Sequence, residues 1–193
     1  MTLILASKSA SRRMMLEAAG VTFVSRPAAI DERALEASLP DVAPAGIALA
    51  LAEAKALAVD GEALPVLGSD SLVVVEDRRF DKPTNREEAA EHLRFFSGRV
   101  MELHSAAALV RSGKVIWRHA SLAKLFVREL SDPFVADYLD AEWPEVGHCV
   151  GVFRIEGRGV QLFERIEGDH FTVLGMPLLP VLAALREIEA MPA

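Results

Sequence analysis

The stretch that most restricts the fold is Met101–Val110 followed by Val115–Val127, two long β-prone runs split by Ser112-Gly113. Such a pair reads as a long β-hairpin, and a hairpin brings antiparallel neighbours into whatever sheet holds it. The chain before it has another rhythm. Leu3-Ile4-Leu5 is a short buried strand, and Arg12–Ala19 places Met14, Met15, Leu16, Ala18 and Ala19 on the buried side of a helix. Thr22–Ser25 is a second strand. Helical period resumes at Pro44, a good first-turn residue, and Gly61 ends it. Strand–helix alternation interrupted by a hairpin argues an α/β class with a mixed sheet.

The remaining segments fit that class. Pro65-Val66-Leu67 reads as an apolar strand running into Gly68-Ser69-Asp70-Ser71, with Leu72–Val75 as a β-branched strand leaving it. Glu76–Arg79 reads as a hairpin turn, Arg86–Phe96 as an amphipathic helix stopped by Gly98, and Ser131–Trp143 as another helix. His148–Gly157 is a loop rich in small residues, Val160–Ile166 a strand, and Gly175-Met176-Pro177 leads into a final helix ending near Ile188. No linker, low-complexity run or internal repeat divides the chain, so residues 1–193 are expected to form a single domain.

Composition excludes several functions. The net charge of −7 argues against a general nucleic-acid binder, which needs a basic face. No run approaches a membrane span, and the opening residues lack the basic flank of a signal peptide. The lone Cys149 rules out an internal disulfide and a cysteine-based zinc site. A cytoplasmic location, with no nucleic-acid or membrane partner, is the expectation. With 51% apolar and 25% charged residues, any site for an anion must gather its cations locally.

Two polar turns follow apolar strands, the usual place for ligands in open α/β sheets. In the first, Ser7-Lys8-Ser9-Ala10-Ser11 precedes Arg12-Arg13, with Ser9 or Ser11 able to cap the helix. Two arginines at a helix start oppose its dipole, and they make sense if an anion docks on the same turn. A solvated Arg-Arg pair is the plain alternative. In the second, Asp70 lies among small residues between apolar strands, and a buried carboxylate needs a cation, a metal or several donors. A capping aspartate in a tight turn would look the same.

Asp31-Glu32 place two more carboxylates in a loop, Lys55 lies on the helix beginning at Pro44, and Pro83 holds Lys82 in an extended conformation. Most lysines on alanine-rich helices are simply solvated. The cations suit phosphates, and the carboxylates suit a hard divalent ion. Neither a Walker loop nor the dinucleotide glycine fingerprint occurs.

These pieces together resemble the Maf family of nucleoside triphosphate pyrophosphatases over nearly the whole chain. The resemblance rests on Leu5–Arg13, Asp31-Glu32, Ala52-Glu53-Ala54-Lys55-Ala56, Gly68-Ser69-Asp70 and Lys82-Pro83. It continues through Ser97-Gly98, Ile155-Glu156-Gly157 and Leu174–Leu178. It implies an elongated Maf/ITPase-like fold, its mixed sheet flanked by helices, with a central cleft between two lobes, often as a homodimer. It also implies metal-dependent hydrolysis, with Mg²⁺ or Mn²⁺, of a nucleoside triphosphate to the monophosphate and pyrophosphate. On this resemblance Asp70 matches the family's proton acceptor. Ser7, Arg12, Arg13, Lys55 and Lys82 match phosphate-handling positions, and Glu32 with Asp70 could hold the metal.

One family branch resembles dTTP/UTP hydrolases and carries Gln where this chain has Glu156. The other resembles 7-methyl-GTP hydrolases and carries Glu, in a context that Cys149, Gly151, Phe153, Glu156 and Gly157 reproduce. A carboxylate only accepts hydrogen bonds, and the guanine edge offers two donors. The resemblance therefore favours 7-methyl-GTP or another modified nucleotide as a house-cleaning substrate, with dTTP/UTP hydrolysis as the alternative. Ser11 stands where that branch tends to have an aromatic, and Ser71 where a Gln or Thr is expected. A nucleotide-binding regulator of cell division that does not turn over its ligand is the reading from a different class.

Overall fold

The computed structural model of the protein describes residues 2–192. Among the described residues, seven strands and seven α-helices follow one another as β1 (Leu3–Leu5), α1 (Ala10–Ala18), β2 (Phe23–Ser25), α2 (Glu32–Ala37), α3 (Pro44–Leu57), β3 (Val66–Val75) and β4 (Arg78–Phe80). Then come α4 (Arg86–Phe96), β5 (Val100–Arg111), β6 (Lys114–Val127), α5 (Asp132–Glu142), β7 (Phe163–Glu167), α6 (His170–Val173) and α7 (Leu178–Glu187). The strands form a single sheet in the order β2-β1-β3-β5-β6-β7, with β4 beside β3. β1 runs parallel to β2 and β3, while β3–β4 and β6–β7 are antiparallel, so the sheet is mixed, as the hairpin requires. No helix among the described residues is long and apolar enough to cross a membrane.

The chain divides into two compact units. The first comprises Met1–Ser71, His104–Leu122 and Asp169–Ala193. Its sheet is covered on both faces, which is why β1 reads as an unbroken apolar run. Leu3 and Leu5 pack with Met15 and Leu16 of α1 and with Leu178, Val181 and Leu185 of α7. Ile4 and Ala6, pointing the other way, pack with Val66, Val110 and Ala56 of α3. The hairpin between β5 and β6 turns at Ser112-Gly113, both with positive φ, the geometry that matches strand twist.

The second unit comprises Leu72–Leu103 and Ala123–Gly168. Phe80 makes edge contacts with His92 and Phe96 of α4, and the Arg78 guanidinium lies over the Phe80 and Phe95 rings. Asn85 and Ser131 cap α4 and α5 by accepting from Glu88 N and Phe134 N.

Five local expectations need correction. Gly68–Ser71 is not a turn, because β3 runs unbroken through it and Asp70 lies mid-strand. Small residues there serve packing: a Cβ on Gly68 would lie 2.0 Å from Ala52 O and 2.7 Å from Ala56 N, so α3 presses directly on the strand backbone. Asp31-Glu32 are not in a loop, since Asp31 caps the short α2 by accepting from Ala34 N at 3.0 Å. The strand expected over Val160–Ile166 starts only at Phe163, after a 3₁₀ turn over Arg158–Leu162. Finally, α1 begins at Ala10 with Ser9 as its cap, and α3 stops at Leu57, short of Gly61.

Candidate active site

In the first unit the close packing of α3 at Gly68 brings Lys55, on the last turn of the helix, beside Asp70 on β3. Lys55 Nζ lies 2.5 Å from Asp70 Oδ1 and 3.0 Å from Glu32 Oε1, the latter supplied by the first turn of α2. Asp70 is 6% exposed, and its Oδ2 has no hydrogen-bond or ion-pair partner among the described residues. A buried ion pair of this kind owes its position to the packing around it more than it adds stability. The expected turn aspartate is thus a strand aspartate held by a lysine.

Asp70 and Glu32 converge on one ammonium, so a positive centre already occupies the space between two hard oxygen donors. No group of three or more His, Cys, Asp or Glu able to hold a metal occurs among the described residues. That donor set fits Mg²⁺ or Mn²⁺, which take one or two carboxylates and complete their shell with water and substrate phosphate. It does not fit a metal caged wholly by protein.

The two adjacent arginines part company. Ser9 Oγ accepts from Arg12 N, and Ser7 Oγ accepts from Ser9 N at 3.1 Å, which shapes the turn into α1. Arg12 is buried. Its Nε donates to Gly175 O at 2.9 Å, Nη1 to Ser7 Oγ at 3.3 Å and Nη2 to Ser71 Oγ at 3.2 Å. Burial lowers its pKa below the ordinary value, and the charges of Asp70 and Glu32 pull it back up. Arg13 is exposed, with no side-chain partner among the described residues, and Ser11 is half-buried on the same first turn. Of the pair, Arg12 knits the turn to the fold and Arg13 is available to an anion.

The network around Arg12 includes groups that sequence reasoning missed. Gly175 O accepts from Arg12 Nε, from Ser71 Oγ at 2.9 Å and from Ser69 Oγ at 3.3 Å. Ser105 Oγ lies 2.9 Å from Ser71 Oγ and 2.9 Å from Thr172 O. The signal was present in Ser105 and Thr172, polar residues within apolar runs, where burial forces a hydrogen bond.

The second unit holds Lys82 and Glu156. Lys82 follows β4, exposed, with Pro83 buried next to it. Glu156 is exposed in the turn before the 3₁₀ segment and has no hydrogen-bond or ion-pair partner among the described residues. Both act on the half-buried Cys149: burial pushes its thiol pKa up, the Glu156 carboxylate pushes the same way, and the Lys82 ammonium opposes them. Nearby, buried Glu142 accepts from Arg154 Nη2 at 3.0 Å, and buried Tyr138 donates from its hydroxyl to Val152 O at 3.0 Å. Neither of those anchors stood out in the sequence, where both read as ordinary residues of a helix.

A carboxylate with one oxygen on an ammonium and the other open among the described residues, an exposed arginine on a helix N-terminal turn, and a hard-oxygen pair are groups chemically able to meet a phosphate and a hard divalent ion. Residues 2–188 match the Maf-like protein family. The chain is 51% identical to a 7-methyl-GTP pyrophosphatase from Rhizobium meliloti (strain 1021), over 99% of this chain and 98% of that one. It is 48% identical to a nucleoside triphosphate pyrophosphatase from Sphingopyxis alaskensis, with 96% of each covered. Among solved structures, a HAM1 protein from Coxiella burnetii aligns at 20% identity and a TM-score of 0.42, over 66% of this chain and 73% of that one. The chain belongs to the Maf family.

Proposed function

We propose that the protein hydrolyses a nucleoside triphosphate to the nucleoside monophosphate and pyrophosphate, with 7-methyl-GTP as its preferred substrate. The observation that carries the hydrolytic reading is Asp70, with Oδ1 held by Lys55 and Oδ2 without a hydrogen-bond or ion-pair partner among the described residues. Asp70 accepts the proton of the attacking water as the α–β anhydride breaks, and the bridging oxygen leaves with pyrophosphate. Lys55 fixes the carboxylate, and Arg13 and Lys82 neutralise phosphate oxygens. Asp70 and Glu32 are the groups that would hold Mg²⁺ or Mn²⁺, which when bound offsets charge on the phosphates and the leaving group. Arg12, Ser7 and Ser71 preserve the turn that presents Arg13; Arg12 and Ser7 keep donors for a phosphate oxygen, while the Ser71 hydroxyl is spent on Gly175 O. Residues 1–193 act in this as a single Maf-like domain.

Glu156 supports the choice of base. Its exposed carboxylate, without a hydrogen-bond or ion-pair partner among the described residues, can accept from N1–H and the 2-amino group of a guanine. The Rhizobium meliloti relative bears the name of that activity at 51% identity. Ser11 places no aromatic at the expected stacking position, so the carboxylate takes the larger share of base discrimination.

The test is pyrophosphate release with Mg²⁺ across a nucleotide panel, where 7-methyl-GTP should lead and EDTA should abolish release. Glu156→Gln places an amide donor against a guanine donor, at a cost of about 1–3 kcal/mol in the kcat/KM ratio of 7-methyl-GTP to UTP. The preference should move toward UTP. A ratio that stays put while both rates change together would remove Glu156 as the base reader.

A further inference from the structure

The segment that carries Glu156 is held in a strained backbone conformation. Val152 has φ of 56° and is 0% exposed, and the left-handed region is a true outlier for a β-branched residue. Such a conformation persists only where its surroundings over-determine it. Two contacts do so here. The Tyr138 hydroxyl donates to Val152 O at 3.0 Å, and Glu142, 7% exposed, accepts from Arg154 Nη2 at 3.0 Å. Tyr138 and Glu142 lie one turn apart on α5, so one face of one helix grips positions 152 and 154 together.

The grip ends where Glu156 begins. Gly157 N donates back to Arg154 O at 3.1 Å, closing the turn on which Glu156 sits. With no hydrogen-bond or ion-pair partner of its own among the described residues, the Glu156 carboxylate takes its place from this backbone. Burial, and then the Glu142 charge, push the Tyr138 pKa well above its ordinary value, so the hydroxyl stays a donor across the working pH range.

We propose that Tyr138 and Glu142 are positioning residues for base selection: by clamping Val152 and Arg154 they hold Glu156 where it can meet a guanine edge. The proposal rests on the reading of Glu156 as the base reader. Loosening the clamp costs discrimination between bases while leaving the chemistry of Asp70 and Lys55 intact.

The test is a set of three variants assayed with 7-methyl-GTP and UTP. Tyr138→Phe removes one hydroxyl and keeps the ring. It should raise KM for 7-methyl-GTP about tenfold, hold kcat within about twofold, and leave kcat/KM for UTP nearly unchanged. Arg154→Lys, at a side chain 39% exposed and so easily accommodated, keeps the charge but loses the planar fork, and should move the ratio in the same direction. In a double-mutant cycle Tyr138→Phe should have no further effect on the ratio once Glu156→Gln is present, because both act through one carboxylate. An unchanged ratio in Tyr138→Phe and Arg154→Lys, with Glu156→Gln still shifting it, overturns the clamp and leaves the base reader standing. Equal losses on both nucleotides with a lowered Tm also overturn it, as the mark of a merely structural role. No shift from Glu156→Gln removes the base reader itself, and the clamp with it.

Discussion

The two units hold their functional groups by different means. In the first, side chains hold one another: Lys55 bridges Asp70 and Glu32, and Arg12 ties together Ser7, Ser71 and the Gly175 carbonyl. In the second, the backbone does the holding: Lys82 is set by a buried proline beside it, and Glu156 by a strained segment gripped from α5. Mutual ion pairs keep reacting groups close to each other and out of water, which suits proton transfer. Backbone placement leaves a charged end exposed and unpaired, which suits recognition of an incoming ligand. Mutations should therefore separate rate effects at the paired groups of the first unit from affinity and preference effects at the exposed groups, which are Lys82 and Glu156 of the second unit and Arg13 of the first.

The largest effect should come from Asp70→Asn. The amide keeps the shape and an acceptor for Lys55, whose ammonium also retains Glu32 at 3.0 Å, but it cannot take up a proton. Turnover should drop by about a hundredfold or more, the scale of a lost general base. The loss should appear in kcat with little change in KM, measured by pyrophosphate release. A variant with half the wild-type kcat would break the contrast, because the buried carboxylate would then be structural.

Next come the exposed cations. Arg13→Ala and Lys82→Ala should each weaken triphosphate binding by about 1.5–3 kcal/mol, the range for hydrogen bonds to charged groups, with Tm unmoved. Arg12→Ala should behave differently from its neighbour and lower Tm as well, because it strips donors from Gly175 O, Ser7 and Ser71 at a buried position. Calorimetric titration alongside thermal melting separates the two arginines. Equal behaviour of Arg12→Ala and Arg13→Ala would erase the distinction between the inward and the outward member of the pair.

A smaller effect on stability, with a disproportionate effect on rate, is expected for Gly68→Ala. The added methyl would meet backbone atoms of α3, which cannot rotate out of the way as a side chain could. Overpacking of this kind costs about 1–3 kcal/mol. The helix must shift, and Lys55 moves with it, so kcat should decline more than the loss of stability explains. Activity that survives while Tm declines would show that the Lys55–Asp70 contact tolerates displacement.

Much of this was legible in the sequence, for reasons that can be named. The long hairpin, the β1 run and the capped helices α4 and α5 carry local signals that tertiary structure had no cause to override, whereas on α1 Met14 and Ala18, expected on the buried side, are exposed and Arg12 is buried instead. Gly68-Ser69-Asp70-Ser71 misled because glycine and small polar residues usually mark turns. Here they mark a helix lying on the strand, a long-range fact with no local trace. The identities of Asp70, Lys55 and Arg12 as site candidates came from residue type and position. Their division of labour did not, because whether an arginine faces in or out depends on acceptors as remote as Gly175. Tyr138 and Glu142 were invisible for a related reason: at helical spacing an aromatic reads as core, and a glutamate as solvated face.

The smallest expected effect concerns acid and bears on the second unit alone. His92 lies against Phe80 and Phe96, with Glu88 Oε1 3.8 Å from Nε2. Burial lowers its pKa below the ordinary 6.5, with Arg78 adding to that and Glu88, Glu91 and Asp81 opposing. The unfolded chain then binds this proton at a higher pH than the folded one does. The contribution of the neutral imidazole is complete above pH 6.5 and is lost as pH falls from there toward the folded-state value. Amide exchange should quicken first in α4 and α5 on acidification, while β1 and α7 of the first unit hold their protection. His92→Phe keeps a ring among the aromatics and removes the titrating group, so it should flatten that response. Unchanged acid sensitivity of α4 in the variant would assign the effect to carboxylates instead, and an equal response in β1 would show that acid does not distinguish the units.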